Sequence, residues 1–397
     1  MRISKKVLAV AAVAGATALA LAGCSAGGSS GPATGDPIVV AANSSLTFFP
    51  EAPEAVKAVF DEFNAAGGLD GRPLEYLVCD DKADPAASAQ CQKDALSAGA
   101  VAMVGSSSLI DCNVNWQTWI DNDLVSYQGT GVDPYCFGTP NVAPANTGPF
   151  FDAQATIQQA ANDGHTALCT LVTSIDPATK QAYNDMKANW EAFSGQTMAG
   201  WDDTMPYGAD YTANVNALLG NNCDAMVFLS VGPDVIAMIG ALTQAGSSLP
   251  VYVQTSCYDP TFAAAITAYT GPVSSAAEFA PLEESVNDDF RALMESAGVK
   301  LSSFAQGGYL AAQDFIAALK TVEGEITAAS VSAAAKAQTE PNANSMRGNP
   351  WIFGPGEAHQ ANASAWEVLV EPGSGVWTSI GPWYGAEEIG FKPLPVS

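Results

Sequence analysis

The sequence predicts an α/β protein of two lobes, each built on a parallel sheet flanked by helices. Three observations lead there. Apolar β-type runs alternate with amphipathic helical runs through short loops, the pattern of βαβ units. The alternation stops at a proline- and glycine-rich stretch, Gly138 to Pro149, and then restarts. About 360 residues follow the N-terminal leader and tether, long for one core, so two domains are expected.

In the first unit, Ile38 to Ala42 reads as a strand that runs into the polar and aromatic loop Asn43 to Pro50. From Glu51 to Ala66, Val56, Val59, Phe60 and Phe63 fall at i, i+3, i+4 and i+7, one apolar helical stripe. Gly67-Gly68 stops that helix. Leu74 to Val78 is the next strand. Asp84 before Pro85 places an N-cap acid ahead of an N1 proline, and the helix runs to about Ser97. Val101 to Val104 is a third strand, ending in Gly105 and Ser106 to Ser108. A helix near Asn113 to Asp121 and a strand near Leu124 to Tyr127 complete the unit.

The second unit reads helix (Phe151 to Asn162), strand (Ala167 to Val172), a helix capped by Asp176-Pro177, then a strand near Thr197 to Trp201. A helix near Tyr211 to Leu219, the strand Ala225 to Leu229, a helix from Gly232-Pro233 to Ala245, the strand Pro250 to Gln254 and a helix opened by Asp259-Pro260 follow. Beyond Glu283 come one helix ending near Ala297, one from Phe304 to Leu319 and a less distinct third. Trp351 to Trp377 has the character of short strands with turns.

The N-terminus carries three basic residues, Arg2, Lys5 and Lys6, then an apolar run from Val7 to Ala22 that closes in small residues. That is the anatomy of a secretory signal. Gly15 and Thr17 interrupt the run, and a spanning helix needs about 20 apolar residues. Leu21-Ala22-Gly23-Cys24 resembles a bacterial lipobox, which implies a diacylglyceryl group on Cys24 and cleavage just before it. Residues 1–23 are then a lipoprotein signal peptide and 24–37, rich in glycine, serine and proline, a flexible tether. The expected location is outside the cytoplasm, with lipidated Cys24 anchored in a membrane.

Formal charge is −26, and −29 once the three basic residues leave with the signal. Nucleic acid and anionic lipid surfaces need clustered Lys and Arg, so neither is an expected partner. With Cys24 lipidated, seven of the eight cysteines remain, an odd number that leaves at least one unpaired. In an exported chain, Cys79 with Cys91 and Cys112 with Cys136 are the disulfide candidates that lie near in sequence, buried free thiols being the alternative. No C-x-x-C occurs, and no metal or cofactor is expected.

Catalysis finds little support. The two histidines are His165 and His359, and no H-E-x-x-H, Walker loop or G-x-G-x-x-G appears. G-x-S-x-G occurs at Gly23 to Gly27 and Gly27 to Gly31, in leader and tether, without the strand and helix of a nucleophile elbow. Asp121-Asn122-Asp123 lacks the glycine and distal Glu of a calcium loop. By contrast, five expected strands end in hydroxyl residues: Ser44-Ser45, Ser106 to Ser108, Thr173-Ser174, Ser230, and Thr255-Ser256. Ligands in open α/β sheets sit outside the carboxyl ends of strands. Two such units facing each other make a hydroxyl-lined interlobe cleft.

The segment Phe63 to Asp81 resembles solute-binding proteins of branched-chain amino-acid-type ABC importers. Asn64, Gly67, Gly68, Leu69, Gly71, Arg72 and Leu74 carry the match. The resemblance implies a type I periplasmic-binding-protein-like fold, two Rossmann-like lobes joined by hinge strands, with 38–148 plus about 278–345 as N-terminal lobe and 149–277 plus about 346–397 as C-terminal lobe. It also implies closure on a small-molecule ligand and docking on ABC permease subunits, with the binding protein a monomer. By position, Ser106, Ser107 and Ser108 correspond to a carboxylate-binding loop and Gly129-Thr130 to the site after the next strand. Ser44, Ser45 and Phe48 give an aromatic-walled loop, and Ser174, Ser230, Gly232, Ser256, Tyr258 and Phe304 face them. Amino-acid-binding members carry an acid for the ligand ammonium where this chain has Thr255-Ser256-Cys257-Tyr258; the nearest, Asp259, reads as the cap before Pro260. The expected ligand is a small polar or amphipathic molecule, an amino acid, amide or small organic acid. A ligand-sensing receptor module of the same fold is the alternative, and a cleft enzyme such as a glycosidase the third reading.

Overall fold

A computed structural model describes residues 31–174, 176–354 and 362–392. The signal segment, Cys24 and His359 lie outside the described residues. In the first lobe, β1 (Ile38–Ser44), α1 (Glu51–Ala65), β2 (Leu74–Asp80), α2 (Pro85–Ser97), β3 (Ala102–Val104), α3 (Asp111–Asp121) and β4 (Val125–Tyr127) wind a parallel sheet of order β2-β1-β3-β4. A short helix, α4 (Tyr135–Gly138), precedes the crossing to the second lobe.

There, α5 (Pro149–Asn162), β5 (Leu168–Thr173), α6 (Pro177–Ser194), β6 (Gly200–Met205), α7 (Thr212–Leu219), β7 (Ala225–Leu229), α8 (Gly232–Gln244), β8 (Val251–Val253), α9 (Pro260–Ala265) and β9 (Val273–Ala277) form parallel βα units. The chain returns to the first lobe as α10 (Asp288–Ala297), α11 (Ser303–Leu319) and α12 (Ala328–Lys336), with α11 on α1, β3 and β4. It then crosses back as β10 (Ser364–Val370), β11 (Trp377–Gly385) and α13 (Ala386–Ile389), and β10 runs antiparallel to β9. The second sheet has the order β11-β10-β9-β8-β7-β5-β6. Every residue of β5 and β7 is buried, as strands covered on both faces must be.

The three expected N-cap acids act as caps. Asp84 accepts from Ala87 N (2.8 Å), Asp176 from Ala178 N (2.8 Å) and Asp259 from Phe262 N (3.0 Å). The Phe63 to Asp81 motif has a clear mechanical basis. Asn64 clamps the start of β2, its side chain accepting from Leu74 N (2.7 Å) and donating to Leu74 O (2.9 Å). Gly68 has φ +61° and packs on the Arg72 carbonyl, where any Cβ would collide.

Several expectations change. Ala33 to Pro37, expected within the tether, are pinned instead: Ala33 N donates to Asn64 O (2.9 Å), Gly35 N to Gly71 O (2.8 Å), and Arg72 reaches the carbonyls of Asp36 and Pro37. The strand expected at Thr197 to Trp201 is β6, shifted to Gly200–Met205. It pairs with β5 alone at the sheet edge, so it tolerates Asp202, Asp203 and Thr204, and its apolar signal is faint. The small residues of β9, Val-Ser-Ser-Ala-Ala, gave no strand signal, and α4 was not expected either.

Cys79 bonds to Cys91, Cys112 to Cys136 and Cys169 to Cys223, while Cys257 is a buried free thiol. Among the described residues, Cys112, Asp133 and Cys136 stand together as metal-ligand types, but the disulfide already holds both sulfurs.

Candidate functional site

The hydroxyl residues sit at the carboxyl ends of β1, β3, β5, β7 and β8, yet they divide into two groups. In the first lobe the serines are buried and bonded to one another's loops. Asp81, itself buried, accepts from the Ser45 hydroxyl (2.7 Å), from the Ser108 hydroxyl and from Ala83 N (2.9 Å). Ser108 Oγ accepts from Ile110 N and Asp111 N, holding the entry to α3. Ser106 Oγ accepts from Asn43 N, Ser44 Oγ from Ser107 N, and Ser107 Oγ lies 3.5 Å from the Gly105 carbonyl. Gly129 N donates to Ser106 O (2.9 Å). These six positions form a tight floor and line neither cavity of the cleft. Ser174 lines a separate shallow depression with Asp176, Lys180 and Asp203.

The other seven expected site residues converge on the interlobe cleft. An outer cavity of about 180 Å³ is walled by Phe48, Glu51, Gly232, Tyr258 and Lys300. An inner one of about 60 Å³ is walled by Thr130, Asp152, Tyr183, Ser230, Gln254 and Glu278. Phe49, Val231, Ser256 and Phe304 border both, so the two are one continuous cleft. Phe49 meets Phe304 edge-on at 4.9 Å, which joins the β1–α1 loop to the start of α11. On the facing lobe, Ser256 Oγ donates to Ser230 O (2.7 Å), and Ser230 Oγ lies 2.6 Å from Thr173 Oγ1. The Tyr258 hydroxyl bridges Leu282 N and Glu283.

Two acids that the sequence did not single out dominate the inner cavity. Asp152 lies in the first turn of α5 and Glu278 immediately follows β9. They are 2% and 1% exposed. Asp152 Oδ2 accepts from Thr255 N (2.9 Å), and Glu278 Oε2 from Thr147 N and Oγ1 (both 3.2 Å). The second oxygen of each has no hydrogen-bond partner. Thr156 donates to the Val253 carbonyl and Gln254 to the Pro149 carbonyl, and both lie close enough to Asp152 to favour its charged form, as Asn146 does for Glu278. Burial, and then the neighbouring Glu278, hold the Asp152 carboxyl well above the usual range, and burial pushes Glu278 up to about 7. Lys82, the cation nearest an expected strand end, is exposed and lines neither cavity.

Glu278 is also where the lobes join. The chain passes between them near Ala145 to Gly148, at Glu278, and before β10. Thr147 bonds the Glu278 carboxylate, Asn362 donates to the Glu278 carbonyl (3.1 Å), and Trp351 Nε1 donates to Pro144 O (2.8 Å). The site therefore abuts the crossings between the lobes.

The comparisons agree with this fold. The sequence matches the family described as "Periplasmic binding protein" over residues 41–374. No curated protein sequence matches it significantly. Among solved structures, a putative branched-chain amino acid ABC transporter protein from Rhodospirillum rubrum is similar at TM-score 0.63 and 21% identity, covering 87% of this chain and 100% of that one. A fatty acid ABC transporter substrate-binding protein from Thermomonospora curvata gives TM-score 0.72 at 16% identity, with 92% and 97% covered. A solute-binding protein from R. palustris in complex with 4-hydroxybenzoate gives 0.71 at 14%, with 88% and 97% covered. The described fold is of the type I periplasmic-binding-protein kind, and with a match across most of its length this chain belongs to the periplasmic binding protein family.

Proposed function

We propose that the protein is an extracytoplasmic solute-binding lipoprotein. It captures a small polar or amphipathic molecule, such as an amino acid, amide or small organic acid, between its lobes and delivers it to the permease of an ABC importer. One observation carries the reading: a single cleft lined from both lobes, at strand carboxyl ends and beside the crossings between them. The family match supports capture, and the ABC transporter proteins among the structural neighbours support delivery. In this reading Cys24 carries the lipid, the protein acts as a monomer, and the bound solute leaves chemically unchanged.

The test is a thermal-shift screen of amino acids, amides, aromatic acids, amines and nucleosides, followed by mass spectrometry of the recovered solute. A ligand at 100 times its Kd stabilises by about 2.7 kcal/mol, which a melting scan resolves. A shift with the solute recovered intact supports the reading. Silence across all classes, or conversion of the bound compound, overturns it.

A further inference from the structure

The inner cavity is walled by two buried acids. Its wall holds Asp152, Glu278 and Thr130, and each keeps one buried side-chain oxygen without a hydrogen-bond partner just behind that wall, with the Asn146 amide beside Glu278. Among the described residues, no Lys, Arg or His lines it. Such orphaned groups are costly to bury and rare in folded proteins, and three around one cavity ask for a donor. In the outer cavity Lys300 is already bracketed by Asp259 (3.3 Å) and Glu51 (3.8 Å), leaving one net negative charge there as well.

The first-lobe serines point to the same exclusion. Ser45 and Ser108 give their protons to Asp81, and Ser106 and Ser107 are held in the loop contacts given above. A ligand carboxylate in the inner cavity would find no cation among the described residues and few free donors. Beside the acids, Phe49, Leu109, Val132 and Phe304 supply apolar wall.

Resting on the solute-binding reading and narrowing it, we propose that the cleft selects a cationic amphiphile: a primary ammonium or amidinium head between Asp152, Glu278 and Thr130, and an apolar, ring-sized body against Phe49 and Phe304. A charge-assisted hydrogen bond to each orphaned oxygen is roughly twice as strong as a neutral one, so charge sign rather than shape decides entry.

The test uses ligands that share a phenyl body and differ in the head: benzylamine and benzamidine (cations), benzyl alcohol (neutral), phenylalanine (zwitterion) and benzoate (anion). Isothermal titration of the delipidated, folded protein should show the cations binding at least tenfold tighter than benzyl alcohol and benzoate. Glu278→Gln and, separately, Asp152→Asn should each lose at least tenfold in benzylamine affinity while keeping the native circular dichroism spectrum. If benzoate or phenylalanine binds and the cations do not, the cation assignment falls and solute binding stands. If none of the five binds and the wider screen is also silent, both fall. If the cations bind equally well to both variants, these carboxylates are not the receptor and the proposal is overturned.

Discussion

Replacing Glu278 by glutamine isolates what one buried charge costs the empty protein. Its carboxyl is raised from 4.5 to about 7 by burial. Between those values the native state holds a proton that the unfolded chain has lost. The unfolded state then binds fewer protons, so stability falls as pH rises, being fully retained below the unfolded value and lost through the folded one. At 1.36 kcal/mol per pKa unit the loss is about 3 kcal/mol, most of it between about pH 5 and pH 8. Glutamine keeps an oxygen for Thr147 but buries an amide where Oε1 had no partner, a cost of about 1–3 kcal/mol that does not change with pH. The absolute stability of the variant is therefore uninformative, and its pH dependence decides. Denaturant unfolding of both proteins at the two pH values should show the variant losing about 2–3 kcal/mol less than the parent. Asp111 and Asp133, both raised to about 7 by burial, and Asp152 keep a residual slope in each protein. Equal slopes would refute the placement of an ionisable Glu278 in a dry pocket.

Other outcomes follow from the same structure. With Cys24 blocked by its lipid, titration with a thiol reagent should find no reactive cysteine in the native protein and one, Cys257, after denaturation without reductant, because burial holds that thiol up and the remaining six are bonded; two or more would break the pairing. The Cys169→Ser, Cys223→Ser double variant opens a bridge spanning 54 residues and should lose about 4 kcal/mol by the loop-entropy estimate, read by denaturant unfolding, with a loss under about 1 kcal/mol contradicting it. Gly308→Ala puts a Cβ against the backbone of Ala52 and should cost about 1–3 kcal/mol as α11 lifts from α1; an unchanged midpoint would mean that the helices are not in backbone contact. Mass analysis of membrane-extracted protein should find diacylglyceryl on Cys24, and an unmodified thiol there would remove the anchor.

Element order was legible because each βα unit advertises itself twice, by an apolar run and by a punctuating cap. Asp84, Asp176 and Asp259 ahead of proline marked helix starts to the residue. The edge strand β6 and the small-residue strand β9 carry neither signal, since their pairing comes from neighbours distant in sequence. Losing β9 hid Glu278, which without its strand is one acid among 41 Asp and Glu. Asp152 was hidden differently: inside a helix an acid reads as solvent-facing, and only the packing of α5 on β8 and β9 buries it. The serines were found by position, but sequence could not show that Asp81 and the neighbouring backbone already occupy most of them.

The knot at Glu278 constrains how this protein can change over generations. Its side chain answers to the first crossing through Thr147, and its carbonyl to the third through Asn362. A lineage that alters this residue alters both the wall of the inner cavity and the junction between the lobes, so two features are under one mutation. Phe48 and Phe304 have no such double duty, being wall without being joint. Divergence in ligand preference should accumulate first along that aromatic wall, with the joint the last part to drift.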